Sequence, residues 1–452
     1  MTATPTETPA LGDPTPRFGE LRHVIAVTIP TVITTSSRAV MDIADFVMIK
    51  WMKLDAAQAA ILPAQMVMFT YIVIGMGIVS MVNTFAAQCL GRKRLDECSA
   101  YGWQVLYVAA FFGLLGAALI PLVDDLIAVL NHAPDVAALE VAYARVALLT
   151  AGPTIAAAGL GGFFIGIHRP MVTMWSALEA NVVNVVVSYC LIFGVVGPPL
   201  GIAGAAWGTL AGVTYRTARL LLSMTTRGMH ERFRSRAVWR PSLTHLRGLL
   251  RVGAPCGLQW FVEVTVWALF VTVLIGTTFG KADLIATNTA WQYMRIAFMP
   301  TLGASMALSS LVGKSIGAGQ PQRAIRQTRI AVALTFAYMG VLSTIYAVFG
   351  AELIGWFNRD PEVIRIGIQV MLCAAVFQLF DALGISYNGA LRGAGDTFVP
   401  SVFFVVSTWV AAATSRSRSS ATTAASDPGS PRPGLSSSQV CSSGGGGTAA
   451  HG

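Results

Sequence analysis

Long apolar stretches recur along nearly the whole chain, and no other feature limits its fold so tightly. A helix needs roughly 20 apolar residues to cross a hydrocarbon core, and Met66 to Phe85, Val105 to Leu122, Val182 to Val196 and Ala331 to Phe349 are good examples. Lipid offers no partner for loose backbone N–H and C=O groups, so such runs are helices or closed barrel strands, and unbroken rather than alternating apolarity selects helices. Charged residues make up only 12% of the chain, against about 25% in soluble domains. The expected class is therefore an all-α polytopic membrane protein. Its spans are expected at Leu21–Trp51, Ala57–Leu90, Ala100–Leu130, Asp135–Ile167, Met171–Val196, Gly201–Met224, Leu246–Phe279, Leu284–Ile316, Ile325–Phe357 and Pro361–Leu391, with a partial segment at Phe398–Ala413.

A repeat organises these spans. Leu21, Arg22 and Pro30 (LRHVIAVTIP) return at the same spacing as Leu246, Arg247 and Pro255 (LRGLLRVGAP), an offset of 225. Gly77 then matches Gly303, Leu90 and Gly91 match Ile316 and Gly317, and LNHAPDV at Leu130 matches FNRDPEV at Phe357. Six spans separate the two starts, so both halves begin on the same side and are expected to be related by a pseudo-two-fold axis along the membrane normal. The expected division is a polar N-terminus at 1–17, an N-lobe of six spans at 18–226, a basic linker at 227–245, a C-lobe of four spans and a partial one at 246–413, and a disordered low-complexity tail at 414–452. Counterparts of the fifth and sixth spans are due after about Asp396. From Ala413 the sequence turns instead into Ser, Thr, Gly, Ala and Pro, which neither spans a bilayer nor buries a core. The expectation is a truncated or frameshifted version of a twelve-helix parent.

The net charge of +9 sorts by loop. Alternate loops hold Arg17 and Arg22, Arg92 to Arg94, Arg169, a dense run from Arg216 to Arg251, Lys314 to Arg329, and Arg392, while the intervening ones hold only Lys50, Lys53, Lys281, Arg359 and Arg365. The positive-inside rule puts the N-terminus in the cytoplasm and removes the need for a nucleic-acid partner. The first 16 residues lack a basic region ahead of a short apolar stretch, so no cleavable signal is expected. The six cysteines are scattered without metal-ligand spacing. Gly313-Lys314-Ser315 ends like a phosphate-binding loop, but the glycine needed five positions before Gly313 is Leu308. No other enzyme signature is present, so neither catalysis nor a cofactor is expected.

Ionisable residues inside apolar segments are costly in a bilayer and commonly line an interior or a water-filled cavity. Arg38, Asp42 and Asp45 share one face of the first helix at i, i+4, i+7 spacing, Glu263 lies in WFVEVTVW, and Asp381 lies in FQLFDALG. Each carboxylate is a candidate for reversible binding of a proton or Na+; pairing with Arg38 or Arg295 to hold the bundle together is the structural alternative. Trp260, Trp267, Trp291 and Tyr293, near Glu263 in sequence or on the next helix, are candidates for a cation-friendly cavity, or are ordinary packing aromatics.

The same residues carry a resemblance. IPTVITTSSRAVMDIADFVM, NVVNVVVSYCLIFGVVGPPLGIAGAAWGT, VGAPCGLQWFVEVTVW, FMPTLGASMALSSLVGKSIGAG and NGALRGAGDTFVP resemble segments of multidrug and toxic compound extrusion (MATE) transporters, from Phe18 to about Pro400. The resemblance implies that Asp45 stands at the family's first-helix acid, and Glu263 and Asp381 at acids of the bacterial NorM-like branch, where Na+ or H+ displaces a cationic drug in the C-terminal lobe. Another branch has an acid at Ser188, following the asparagine matched by Asn184, and Arg38 stands where Gln is common. The resemblance thus implies a bacterial inner-membrane antiporter, acting as a monomer. It would export amphipathic, mostly cationic organic compounds in exchange for H+ or Na+, with Pro30, Pro255 and Pro300 bending helices as two lobes rock. A lipid-linked saccharide flippase and a non-transporting remnant are the alternatives. A flippase cavity calls for several basic residues, and only Arg38, Arg145 and Arg295 are expected well inside helices.

Overall fold

The computed structural model describes residues 17–52, 55–128, 133–195, 197–269, 281–357, 359–402 and 406. Fifteen α-helices follow one another in these residues: α1 (Arg17–Trp51), α2 (Asp55–Ser80), α3 (Val82–Gly91), α4 (Leu95–Leu119), α5 (Val123–Ala128), α6 (Pro134–Leu149), α7 (Ala151–Gly166), α8 (Pro170–Phe193), α9 (Ile202–Met224), α10 (Arg227–Phe233), α11 (Leu243–Leu269), α12 (Lys281–Gly317), α13 (Pro321–Val348), α14 (Gly350–Gly355) and α15 (Pro361–Ala394). Seven spans are long and apolar enough to cross a membrane, or eight if the bent pair α6 and α7 is one span. The helices α9 and α11, at 23 and 27 residues, also have the length. Their arginines and Glu263 reduce their apolarity.

Several spans are less regular than their sequences suggest. The second divides at Met81 into α2 and α3, and the third passes through a 3-10 turn at Ile120–Leu122 into α5. The fourth bends by 45° between α6 and α7. Pro153 explains that bend, because it has no N–H to offer the Leu149 carbonyl one turn back. Thr150 adds to it by donating its hydroxyl to the Ala147 carbonyl at 2.6 Å. The end of the seventh expected span, beyond Leu269, and the segment beyond Val402 lie almost wholly outside the described residues.

The basic linker is folded rather than extended. It contains α10, and α11 already begins at Leu243. Met229 and Phe233 of α10 are buried in the same core as Phe163, Leu220 and Met224. Trp103 and Tyr107 of α4 donate to the carbonyls of Ser235 (2.6 Å) and Trp239 (2.5 Å).

The repeat becomes a physical two-fold at the seam between the lobes. In a two-fold interface, a contact between one residue and a second recurs between their counterparts. Thr84 donates to, or accepts from, Ser309 across the seam at 3.1 Å. Thr84 also reaches the Arg392 carbonyl at 2.9 Å, and in the opposite sense Ser310 reaches the Ile165 carbonyl at 2.8 Å. Glycines make the approach possible: a Cβ on Gly91 would lie 2.2 Å from the Lys314 carbonyl oxygen, and one on Gly317 would lie 2.2 Å from that of Gln88. Gly77 meets Gly257 and Gly303 meets Val32 in the same reciprocal way. The opening helix of each lobe therefore packs on the second span of the other, α1 on α12 and α11 on α2. Cross-seam hydrogen bonds run from Ser80 and Cys256 (3.7 Å) to Gln88 and the Gly393 carbonyl (3.0 Å), toward the basic end of the bundle, which carries the Arg92 and Lys314 turns.

Candidate functional site

Glu263 on α11 and Asp381 on α15 are both partly buried. Glu263 lies within electrostatic reach of Asp381 and of Arg392. The Arg392 guanidinium stands over the Trp260 ring, 5.3 Å from its centroid, one turn before Glu263 on the same helix. Glu263 thus stands within electrostatic range of a second carboxylate on one side and of the Arg392–Trp260 pair on the other. Carboxylates that share an apolar site repel when both are ionised, so a bound cation or proton stabilises the pair. Arg392 read as a loop residue in sequence; its helix-terminal place in α15, beside Trp260, is what brings it to the acids.

In the N-lobe, Asp45 is buried at 6% exposure. Asn181 on α8 donates to the Ser37 carbonyl on α1 at 2.8 Å. Both helices leave the basic end together, and Asp45 and Ser188 lie eight and seven residues beyond that contact. At about 1.5 Å per residue they reach the same height. Asn184 and Ser188 are fully buried in the joint between α8 and α9. Gly204, Gly208 and Gly212, one per turn of α9, face Ile192, Ser188 and Asn184 in close contact. Asn184 donates to the Thr209 hydroxyl at 3.3 Å. Arg38 is exposed on α1, and the Asp42 side chain lies outside the described residues.

Among the aromatics, Trp260 stands at the acids, Trp291 is partly buried on α12, and the Trp267 side chain lies outside the described residues. Tyr293 faces elsewhere. Its hydroxyl donates to the Leu353 carbonyl at 2.8 Å, and its ring packs edge-on against Tyr346 and Phe357, in the core where α12 meets α13 and α14. Arg295 is exposed on α12. Arg145 pairs with Asp124 at 2.5 Å.

Arg216 is a further basic residue inside a helix. Read as the start of a basic loop, it lies eight residues before the end of α9, with its Nε buried and without a hydrogen bond. Its guanidinium lies near Gly161 of α7, and the positive field of Arg38 reaches it. The expected span Gly201–Met224 already contained it, so the signal was available.

The family model MatE matches the chain twice, over residues 30–190 and 255–415. The two matches start 225 residues apart (255 − 30), the offset of the repeat. A relative named "Probable multidrug resistance protein NorM", from Rhizobium meliloti (strain 1021), is 30% identical over 366 residues, 79% of this chain and 78% of the relative. A protein of the same name from Chromobacterium violaceum is 27% identical over 403 residues, 87% of this chain and 85% of its own. A solved structure described as an outward-facing conformation of a multidrug resistance MATE family transporter of the MOP superfamily shares the fold. Its TM-score is 0.79 at 18% identity, over 88% of this chain and 89% of that one. With both halves matched and the two-lobed helical fold shared, the chain belongs to the MatE family of membrane transporters.

Proposed function

We propose that this protein is a secondary antiporter of a bacterial inner membrane, with its N-terminus and basic end in the cytoplasm. It exports amphipathic, mostly cationic organic compounds in exchange for H+ or Na+ and works as a monomer. The observation that carries the reading is that Glu263 lies within electrostatic reach of both Asp381 and Arg392, the latter held over Trp260. A coupling ion and a substrate ammonium both neutralise the same pair of carboxylates, so each displaces the other, and exchange results from competition for one charge deficit. Arg392, tethered over Trp260, is an internal cation that can balance Glu263 between ligands. Trp260 and Trp291 supply π faces suited to an organic cation. Asp45, buried at the height of the α8–α9 joint, is a second coupling acid, with Arg38, Asn184 and Ser188 setting its surroundings.

Alternating access is supported by the seam. Its glycines and reciprocal hydrogen bonds hold the lobes together toward the basic end, and the relative of shared fold is described as outward-facing. Opening toward the cytoplasm requires that seam to part.

The test is efflux of a fluorescent organic cation from vesicles under separately imposed H+ and Na+ gradients. Gradient-driven efflux is expected, lost in Glu263→Gln and Asp381→Asn with membrane insertion unchanged. Unaltered efflux in both variants would refute the site assignment. A second reading, flipping of a lipid-linked saccharide, draws on Arg216 in the N-lobe interior, with the exposed Arg38 within its electrostatic reach, since guanidinium groups hold phosphate oxygens well. Transbilayer movement of a pyrophosphate-bearing lipid in the same vesicles, without cation efflux, would favour it.

A further inference from the structure

At the basic end of the seam lies a small cavity that the carboxylate sites do not use. Its walls come from both lobes: His23 of α1 and His168 of the α7–α8 turn face Lys314, Ser315, Gln320 and Arg323. The volume is about 30 Å³, room for two or three water-sized particles at ~10–15 Å³ each.

Three observations bear on what such a cavity takes. The two imidazoles are stacked, with centroids 5.3 Å apart and planes 24° from parallel, yet His23 Nδ1 and both ring nitrogens of His168 are buried without a hydrogen bond. Buried polar nitrogens ordinarily find a partner. His168 also holds a backbone φ of 58°, a left-handed conformation uncommon outside glycine. Finally, the charge around the cavity is predominantly positive. Lys314 has no carboxylate within 4 Å among the described residues, while Glu20, 4% exposed, is already engaged across the seam by Arg323 at 3.8 Å and Arg326 at 3.6 Å. Burial, and next the charge of Lys314, push the His168 imidazole down to about 3. It is therefore neutral near pH 7 with a single N–H, which the Ser310 backbone also attracts.

We propose that this cavity binds one small monovalent anion of halide size, held by the Lys314 ammonium and the imidazole N–H groups of His23 and His168, and that the anion clamps the two lobes together at the basic end. The walls offer cationic and hydrogen-bond-donating groups that an anion satisfies and a cation does not. The small volume suits a monatomic ion better than a five-atom oxyanion such as phosphate. The ligating groups come from opposite lobes, so the complete site exists only while the seam is closed. A ligand of one conformation shifts the equilibrium toward it by its differential affinity.

The test reads the seam rather than transport, so its failure is separate from failure of the antiporter reading. Full-length protein in lipid nanodiscs is followed by hydrogen–deuterium exchange in residues 19–27 and 311–327, in sodium chloride, sodium gluconate and sodium phosphate at equal ionic strength. Several-fold slower exchange is expected in chloride than in gluconate, saturating with concentration, with phosphate behaving as gluconate does. Lys314→Gln and His168→Asn are expected to abolish the chloride response while melting at the wild-type temperature in gluconate. The Asn variant keeps a residue that tolerates the left-handed backbone, and His23→Gln serves as a second probe if either fails to fold. Equal exchange in chloride and gluconate, an equal response to phosphate, or a chloride response retained in the folded variants would each overturn the proposal.

Discussion

The two lobes share a sequence repeat, and among the described residues their opening helices have different neighbours. In the N-lobe, α1 packs along α8 of its own lobe as well as on α12 across the seam. In the C-lobe, α11 packs chiefly, among the described residues, on α2 of the other lobe. The described support from its own lobe includes Thr397, which donates to the Val252 carbonyl at 2.7 Å, and Ser401, which donates to the Gln259 side chain at 2.9 Å. Burial divides the same way. Asp45, Asn184 and Ser188 are sealed, while Glu263 and Asp381 retain access. A polar group locked in a helix joint specifies packing, whereas one that keeps access can exchange ligands, so ligand exchange is expected to concentrate in the C-lobe.

The seam both lobes share gives the largest expected effect. Gly91→Leu would drive a side chain into the Lys314 carbonyl, and Gly317→Leu would do the same at Gln88. Overpacking of this kind costs about 1–3 kcal/mol, and here it falls on backbone that cannot step aside. Each variant is expected to lose cation efflux and to melt at lower temperature. Gly340→Ala, where nothing lies within 4 Å of the added carbon, is expected to be silent in both assays. Equal loss from Gly91→Leu and Gly340→Ala would break the account of the seam.

Next in size is the contrast between acids. Glu263→Gln is expected to abolish gradient-driven efflux, with Asp45→Asn reducing it on the order of tenfold, a difference of about 1.4 kcal/mol. The measurement is initial efflux rate at matched protein insertion. A larger loss at Asp45 would move the exchange chemistry to the N-lobe and reverse the comparison.

The sequence made the spans, the repeat and the intramembrane acids legible because apolar length and isolated charge are local signals. Gly77 with Gly303 and Gly91 with Gly317 were visible as matched positions, but their part in the seam depends on contacts over two hundred residues apart. The folding of the linker was hidden for a different reason: Met229 and Phe233 sit in a run dominated by arginines, and only the cavity they fill beside Phe163 shows that they are core. Tyr293 shares a helix with cavity candidates, yet helix phase turns it to Leu353. His23 and His168, 145 residues apart (168 − 23), form no motif at all.

A smaller effect is expected from the N-lobe joint. Thr209→Val removes the hydroxyl that accepts from Asn184 and leaves a buried amide short of a partner, which costs about 1–3 kcal/mol. A lowered melting temperature with the coupling-ion dependence of efflux unchanged would mark the joint as packing. A changed ion dependence would make the N-lobe polar cluster part of the exchange site.

A last expected change sharpens the C-lobe side. Arg392 over Trp260 is a cation–π contact, worth about 0.5 kcal/mol when exposed and about 2 when desolvated. Trp260→Leu removes the π face and frees the guanidinium to remain with Glu263, in competition with the coupling ion. The ion concentration for half-maximal efflux is therefore expected to rise by a factor between about 2 and about 30, the same free energy read as an equilibrium ratio. Trp260→Phe keeps a ring and is expected to fall between wild type and Leu. If the half-maximal concentration were instead unchanged in Trp260→Leu while Arg392→Gln lowered it, Arg392 would compete for Glu263 without the indole restraining it, and the tether would have no part in exchange.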